Sequence, residues 1–516
     1  MTKHKISKNN RGNQGNIGNI GNKGNMGTKG NIQDKDGLNK WLLDIPKRRR
    51  QCLGRGIHNE VFYIGTYLLI ENKPHDAIVT SDRKFYVNRG KDDNEIVKDF
   101  NLYYQGNFAF DLLDNWWSNE SIKKWLYEKY TVDIRKLFFK IVELNKKYMM
   151  YEDSSTHIFV ALDIMRSFFF TLFDANGRTF YNADKDSGKT NQLMIYRALG
   201  FNPISSADFS TASIYRQIEL TGSTILFDDF DDLPEEQKNA VLRFIRVCYK
   251  NLPVGRADGE GFRPRRYNSY SHLVFNNVGG IPIEDKITAD RLLIIRLLRN
   301  PKAKKLTVNP EDPIFTPLRD DLYICTLQYW KQVKENYKDL DVEGFTTREF
   351  ELFRPFFAIA KVIGEDVYNE TLLFANNYVK SERLEDLENN WEFILIKHLW
   401  KMSEYKPTFK VSPTELAEDI GGVIFTDFYS ITDKIKKIHQ LRSFIGSRLQ
   451  SYVIFKKTRP GNAVFYEVTR EGLQKVLASK GWLPLLPLLS EKVGVGDRDM
   501  QKKLDNKKEP DEGGED

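Results

Sequence analysis

The chain has 516 residues, 41% of them hydrophobic and 29% charged, and a formal net charge of +7. At roughly 100–200 residues per domain this length makes three or four domains, and so mild a basic excess permits an anionic partner without demanding one. Three scattered cysteines, Cys52, Cys248 and Cys325, show neither disulfide nor metal spacing, which excludes a disulfide-stapled secreted domain and fits a reducing, cytoplasmic setting (nuclear in a eukaryote).

Residues 1–50 read as a disordered basic tail. From Gly12 to Gln33 a Gly-Asn-x triplet repeats, but without proline and over so short a run it cannot sustain a collagen-like helix. Pro46-Lys-Arg-Arg-Arg50 closes the tail; such a cluster suits DNA phosphates, an import signal or simply a solvated charge run. No apolar segment stands at the N-terminus, so no secretory signal is expected.

Residues 51–150 are expected to form an α+β accessory domain, with β runs at Val61–Ile70 and Ala77–Val87 and helices at Glu120–Tyr130 and Asp133–Lys147. Trp116-Trp117 either packs in a core or stacks on bases. The most apolar helix, Thr156–Phe173, carries Asp163 and Arg166 and is shorter than the roughly 20 clean residues of a membrane span. It reads as a core helix, and no membrane partner is expected.

Residues 151–300 hold the residues that suggest chemistry. A β run, Arg178–Asn182, precedes Ala183-Asp184-Lys185-Asp186-Ser187-Gly188-Lys189-Thr190, and a helical pattern, Asn191–Leu199, follows. Strand, G-K-T loop and helix together make a phosphate-binding loop. Its N–H groups and the helix N-terminus would wrap ATP phosphates, Lys189 would neutralise the β/γ-phosphates, and Thr190 would ligate Mg²⁺. The first glycine of the usual pattern is replaced by Ala183, and Asp184 and Asp186 add negative charge. Next, Ser223–Phe227 is an apolar strand ending in Asp228-Asp229, the Walker B pattern, with Asp228 on Mg²⁺ and Asp229 as the base that activates water. Asp229 is one methylene shorter than the usual Glu, which predicts slow hydrolysis; Asp231 and Asp232 are neighbouring candidates. Asp258-Gly259 is a hairpin-turn signal, followed by Arg263, Arg265 and Arg266. A third apolar strand, Ser271–Phe275, ends in Asn276-Asn277. A polar residue there contacts the γ-phosphate or attacking water in many P-loop ATPases, though paired Asn is also ordinary turn chemistry. Asp290-Arg291 then introduces a fourth β-branched run.

Residues 301–385 are expected to be a helical lid, and 386–482 a winged helix-turn-helix. In the latter, Ser412-Pro413-Thr-Glu415 is a capping box with proline in the first turn, and a basic helix, Asp433–Leu449, leads to a hairpin of strands Tyr452–Lys457 and Ala463–Val468 around Arg459-Pro-Gly-Asn462. Lys434, Lys437, Arg442, Lys456, Lys457 and Arg459 are the candidates for DNA, the helix in the major groove and the wing on phosphates. Winged helices also serve protein contacts. Residues 483–516 read as a disordered charged tail.

The order of these motifs resembles AAA+ P-loop ATPases of mobile-element and archaeal type. Asp290-Arg291-Leu292 is similar to the arginine-finger string of the superfamily-three and minichromosome maintenance helicases, and Gly344–Ala360 resembles their lid. The resemblance implies an α/β AAA+-like core in a hexameric ring of identical chains. Asn276 would be the sensor, Arg291 a finger reaching the neighbour's ATP, and Arg348 or Arg354 a lid arginine on the nucleotide. It also implies that Arg263, Arg265 and Arg266 line a central pore that grips DNA, although inter-subunit salt bridges are an alternative for them. The expected function is a Mg²⁺-dependent, DNA-acting ATPase, most plausibly a replicative helicase of a plasmid or virus. The alternatives are a DNA-binding regulator that uses ATP binding as an assembly switch, and a winged-helix protein with a degenerate nucleotide site.

Overall fold

The computed structural model describes residues 51–483 apart from 105, 152, 184–186, 207–210, 229–233, 251–253, 259–262, 278–285, 298–305, 389, 425–430, 460 and 462. The tails expected at 1–50 and beyond 483 therefore lie outside the described residues.

Five parallel strands make the central sheet: β5 (Arg178–Ala183), β6 (Pro203–Ser206), β7 (Thr224–Phe227), β10 (His272–Asn277) and β11 (Leu292–Leu297), in the order β11-β5-β10-β7-β6. Parallel strands need crossovers on their faces. Helices Lys189–Leu199 and Thr211–Thr221 supply two of them, and helix Glu235–Val247 leads to a separate antiparallel hairpin, β8 (Val254–Asp258) with β9 (Arg263–Tyr267). Alternate side chains enter two different cores. Tyr181, Leu226, Val274 and Leu293 join one cluster, while Phe180, Ile225, Phe275 and Leu292 join another, as the two-residue period of a strand requires.

The N-terminal sheet obeys the same rule. Strands β1 (Arg55–His58), β2 (Val61–Ile70), β3 (Lys73–Thr80) and β4 (Phe85–Val87) are antiparallel in chain order. Phe62, Ile64 and Val79 enter the first cluster, and Tyr63 and Ile78 the second. The α/β core thus continues across the division expected at residue 150. Gly54 marks the closest approach, since a Cβ there would stand 2.0 Å from the Thr221 carbonyl oxygen. Arg55 is buried beside it and donates to the carbonyls of Ser167 and Gly222 at 2.6 Å, its guanidinium lying between the rings of Phe170 and Phe201.

Helix Ser155–Phe169 is buried on every side. Its two charged groups, Asp163 and Arg166, are fully buried and pair with each other. The Asp163 carboxylate also accepts from Thr179 Oγ1 at 2.7 Å and Tyr196 Oη at 2.6 Å, and lies 3.3 Å from His272 Nε2. Burial works against its charge, yet the Arg166 guanidinium, with hydrogen bonds from His272 and Tyr196, holds its pKa well below the ordinary carboxylate range.

The expected lid region is helical throughout its described part, with helices Phe315–Asp339, Thr347–Ile363 and Glu365–Glu388. Helix Thr347–Ile363 opens on a capping box of Thr346 and Glu349. Phe356 and Phe374 stack on Phe159 of the core helix at 4.5 and 4.7 Å. Trp117, 2% exposed, stacks on Tyr323 and is a core residue rather than a base-stacking platform.

The C-terminal part has its own core. Helices Trp391–Tyr405, Pro413–Ile424, Ile431–Ser451 and Arg470–Ser479 surround a sheet of β12 (Thr408–Val411), β14 (Phe465–Thr469) and β13 (Lys456–Thr458). The capping box forms as its sequence dictates, with Glu415 N–H donating to Ser412 Oγ at 3.2 Å. The strand expected from Tyr452 starts only at Lys456, because the preceding helix runs on to Ser451 and Phe455 N–H turns back to the Tyr452 carbonyl. Among the described residues no helix is long and apolar enough to cross a membrane.

Burial lowers the pKa of His157 and of His272 from 6.5 to about 4. Both are neutral in the folded chain across that interval, whereas the unfolded chain takes up their protons, so stability falls as pH drops from 6.5 toward 4. Urea unfolding measured across this window should show that slope, and His272→Gln should flatten it; an unchanged slope in the variant would remove His272 as a source.

Candidate nucleotide site and nucleic-acid surfaces

The loop after β5 leads directly into helix Lys189–Leu199. Gly188 is the residue before that helix, with φ of +89°, a left-handed conformation that side chains resist. Gln192 N–H donates to its carbonyl at 3.1 Å. Lys189 is half-buried and Thr190 exposed in the first helical turn. Asp184, Lys185 and Asp186 lie outside the described residues, and Ala183 is described through its backbone alone.

Strand register shows what faces this loop. β10 runs between β5 and β7, pairing Asn276 with Tyr181 and Phe275 with Phe227. One residue further, Asn276 comes level with Asp228. The carboxyl ends of the three strands therefore meet at one edge, the position where open α/β sheets bind ligands. Two inter-strand steps separate the β5 end from Asp228, on the order of 10 Å. Asn276 and Asn277 are fully buried there. Asp228 is half-buried, and its Oδ1 is buried with no hydrogen-bond partner; Ser187 Oγ is in the same condition. A buried carboxylate oxygen without a donor is costly unless a cation or water fills the role. A carboxylate after β7 and the hydroxyls of the loop after β5 offer the oxygen chemistry that Mg²⁺ takes. Asp229, with Asp231 and Asp232, lies outside the described residues.

Side chains from elsewhere fix the helix after the loop. Asn191 donates to the Leu306 carbonyl at 2.7 Å and accepts from Val308 N–H at 3.1 Å, tying the approach to the lid to its first turn. Arg319, on the lid helix Phe315–Asp339, donates to the Ala198 carbonyl near the helix C-terminus at 3.1 Å. Sequence reasoning missed both residues, since nothing in their spacing signals a contact more than 100 positions away.

The expected arginines gather at the opposite edge of the sheet. Arg291 precedes β11, which starts level with Arg178, so it stands on the order of 20 Å from its own loop. Its guanidinium is 5.9 Å from the Tyr249 ring centre, and that of Arg348 is 4.7 Å from the same centre. Arg348 also donates to Glu351 at 2.8 Å. Partial burial and then the nearby Arg348 lower the pKa of Arg291. Arg354 lies 4.3 Å from the Tyr337 ring centre and donates to the Lys338 carbonyl at 3.0 Å. Arg348 and Arg354 thus contact Tyr249, Glu351, Tyr337 and Lys338.

For the nucleic-acid candidates, Arg263, Arg265 and Arg266 are on β9 and Lys434 on helix Ile431–Ser451, but their side chains lie outside those described. Lys437 is half-buried, and Arg442, Lys456, Lys457 and Arg459 are exposed. Lys457 Nζ contacts Gln450 Oε1 at 3.3 Å. Val453, 96% exposed, and Ile454 put apolar surface beside these cations, another feature the sequence pattern had concealed as strand.

No family model matches the chain, and no curated protein matches it. Among solved structures it is similar to the SCCmec type IV Cch protein, described as an active helicase, at 10% identity and TM-score 0.32 over 66% of this chain and 71% of that one. A full-length MCM homolog from Methanopyrus kandleri is 9% identical, with TM-score 0.33 over 63% and 75% of the two chains. The C-terminal region of NrS-1 is 10% identical, with TM-score 0.32 over 78% and 96%. Likenesses this distant establish neither a family nor an activity.

A side chain at Gly188 must adopt left-handed backbone, at about 1–2 kcal/mol, partly offset by a less flexible unfolded chain. Gly188→Ala should therefore lose about 1 kcal/mol in urea unfolding; equal midpoints would mean that the turn relaxes without strain.

Proposed function

We propose that the chain is an oligomeric, Mg²⁺-dependent ATPase that acts on DNA as a replicative helicase of a mobile element. The observation that carries this reading is the single edge where the loop of Gly188–Thr190, the unpartnered oxygen of Asp228 and the buried Asn276 come together. Lys189 neutralises phosphate charge, and Thr190 and Asp228 hold the metal ion. Mg²⁺ bound with ATP supplies further neutralisation of the phosphate oxygens. Asn276 orients the γ-phosphate or its water, and Asp229 accepts that water's proton.

Arg291 is too far from its own loop to take part there. With Arg348 beside it across Tyr249, it presents two cations to an anion brought by another chain, the geometry an arginine finger needs. A ring of identical chains, six in the simplest reading, places one such edge against the next chain's loop. The β8–β9 hairpin would carry Arg263, Arg265 and Arg266 to DNA phosphates, and the C-terminal helices with β13 would act as a winged helix on duplex DNA.

Wild-type chain should show DNA-stimulated ATP hydrolysis and displacement of an annealed strand, and Lys189→Ala should reduce hydrolysis about 100-fold. If the wild type binds no nucleotide with Mg²⁺ present, the proposal fails; hydrolysis without strand displacement would favour the assembly switch. Mixing Arg291→Ala chains with Lys189→Ala chains should restore part of the hydrolysis, because each wild-type half then meets the other at some interfaces. No recovery in confirmed mixed oligomers would return Arg291 to its own subunit.

A further inference from the structure

A cavity lies against the N-terminal sheet. Tyr67 on β2 pairs with Asp76 on β3, and Asn88 N–H donates to the Asp76 carbonyl at 2.8 Å. The three side chains thus form a row on one face of the sheet. Facing them is the segment Asn107–Asp111, and between the two lies a cavity of about 730 Å³, within the range of ligand pockets. Leu220, from the crossover helix before β7, and Arg89 complete its border.

The chemistry of this lining is specific. Tyr67 and Phe110 stack at 3.9 Å, and the edge of Trp116 closes on them at 5.9 and 6.4 Å. Asp76 is 7% exposed, and only one oxygen is well satisfied. Oδ1 accepts from Phe108 N–H at 2.8 Å, whereas Tyr104 Oη stands 3.5 Å from Oδ2, long for such a bond. Burial raises the Asp76 pKa, with the Phe108 N–H opposing. Asp111 adds a second carboxylate. Arg89, the one lysine or arginine among the lining residues, is bonded to Glu95 and within 3.6 Å of Asp93. A phosphate would meet two acids and an arginine already neutralised. A cation would meet aromatic rings and a carboxylate whose Oδ2 holds only a long bond from Tyr104.

We propose that this cavity binds an organic cation on an aliphatic stem, an alkylguanidinium or alkylammonium such as the side chain of arginine or lysine on a partner polypeptide. The ammonium or guanidinium donates to Asp76 Oδ2, and its stem lies along Tyr67 and Phe110. The reading is independent of the nucleotide site and survives if that site proves inactive.

The test uses full-length chain and two nearly isosteric probes, butylguanidinium and uncharged butylurea, followed by calorimetry. Butylguanidinium should bind saturably and butylurea should not. Asp76→Asn keeps an oxygen for Phe108 N–H and removes only the charge, so it should weaken butylguanidinium at least ~10-fold with the melting temperature retained. If Asp76→Asn fails to fold, Tyr67→Leu should weaken the cation about 5-fold instead. An N-acetyl-arginine methylamide arm that binds more tightly than butylguanidinium assigns the cation to a polypeptide; equal affinity assigns it to a free small cation, which overturns the partner assignment. Equal binding of both butyl probes, or unchanged affinity in folded Asp76→Asn, overturns the site itself.

Discussion

Everything around the candidate nucleotide site depends on one buried carboxylate. Asp163 is fully enclosed, and a charge in such surroundings is tolerated only when donors surround it. Here they come from four elements: Arg166 on its own helix, Thr179 on β5, Tyr196 on the helix after the loop, and His272 on β10. The strand entering the Gly188 loop and the helix leaving it are thereby hydrogen-bonded to the same group. Arg166 extends the web to the Asn176 side chain and the Gly177 carbonyl, just before β5. The mouth of the loop is thus fixed from below by the elements on either side of it.

That anchoring makes the two edges of the sheet unlike each other. At the carboxyl edge stand Asp228 and Asn276; at the amino edge stand Arg291, Arg348 and Tyr249. A parallel sheet keeps these edges apart by the length of its strands, so Asp228 and Arg291 cannot meet within one chain. On the proposed reading, each edge would carry half a site, and hydrolysis would report on contact between neighbours. Glu351 holds Arg348 and also receives Tyr249 and Lys250, so the cationic edge is already organised before a neighbour arrives.

How much of this could be read from the sequence follows from how local each signal is. β2 fills the expected Val61–Ile70, and helix Ile134–Tyr148 lies within one residue of the expected Asp133–Lys147, because alternation and helical periodicity act over a few residues. Strand order was not legible. Placing β10 between β5 and β7 depends on pairings between segments about 50 and 95 residues apart, which no local pattern encodes. The same limit hid Asn191 and Arg319, and it put a boundary at residue 150 where both faces of the β1–β4 sheet in fact share cores with the parallel sheet. The run from Tyr452 to Phe455 looked like a strand by composition, but the preceding helix extends into it, an instance of tertiary packing overriding propensity.

The shared cores also decide how far a change at one place can travel. Leu220 on helix Thr211–Thr221 lines the N-terminal cavity, while Thr221 of the same helix presses on Gly54 and the chain then enters β7, whose end is Asp228. Only Gly222 and Ser223 separate that helix from the strand. Close-packed interiors transmit small shifts rather than absorb them, and a residue that must be glycine leaves little room for slip between sheet and helix. An occupant of the cavity would therefore bear on the same short connection that positions Asp228. Coupling of that kind is reciprocal: nucleotide at the carboxyl edge would alter affinity for the cation by the factor by which the cation alters affinity for nucleotide.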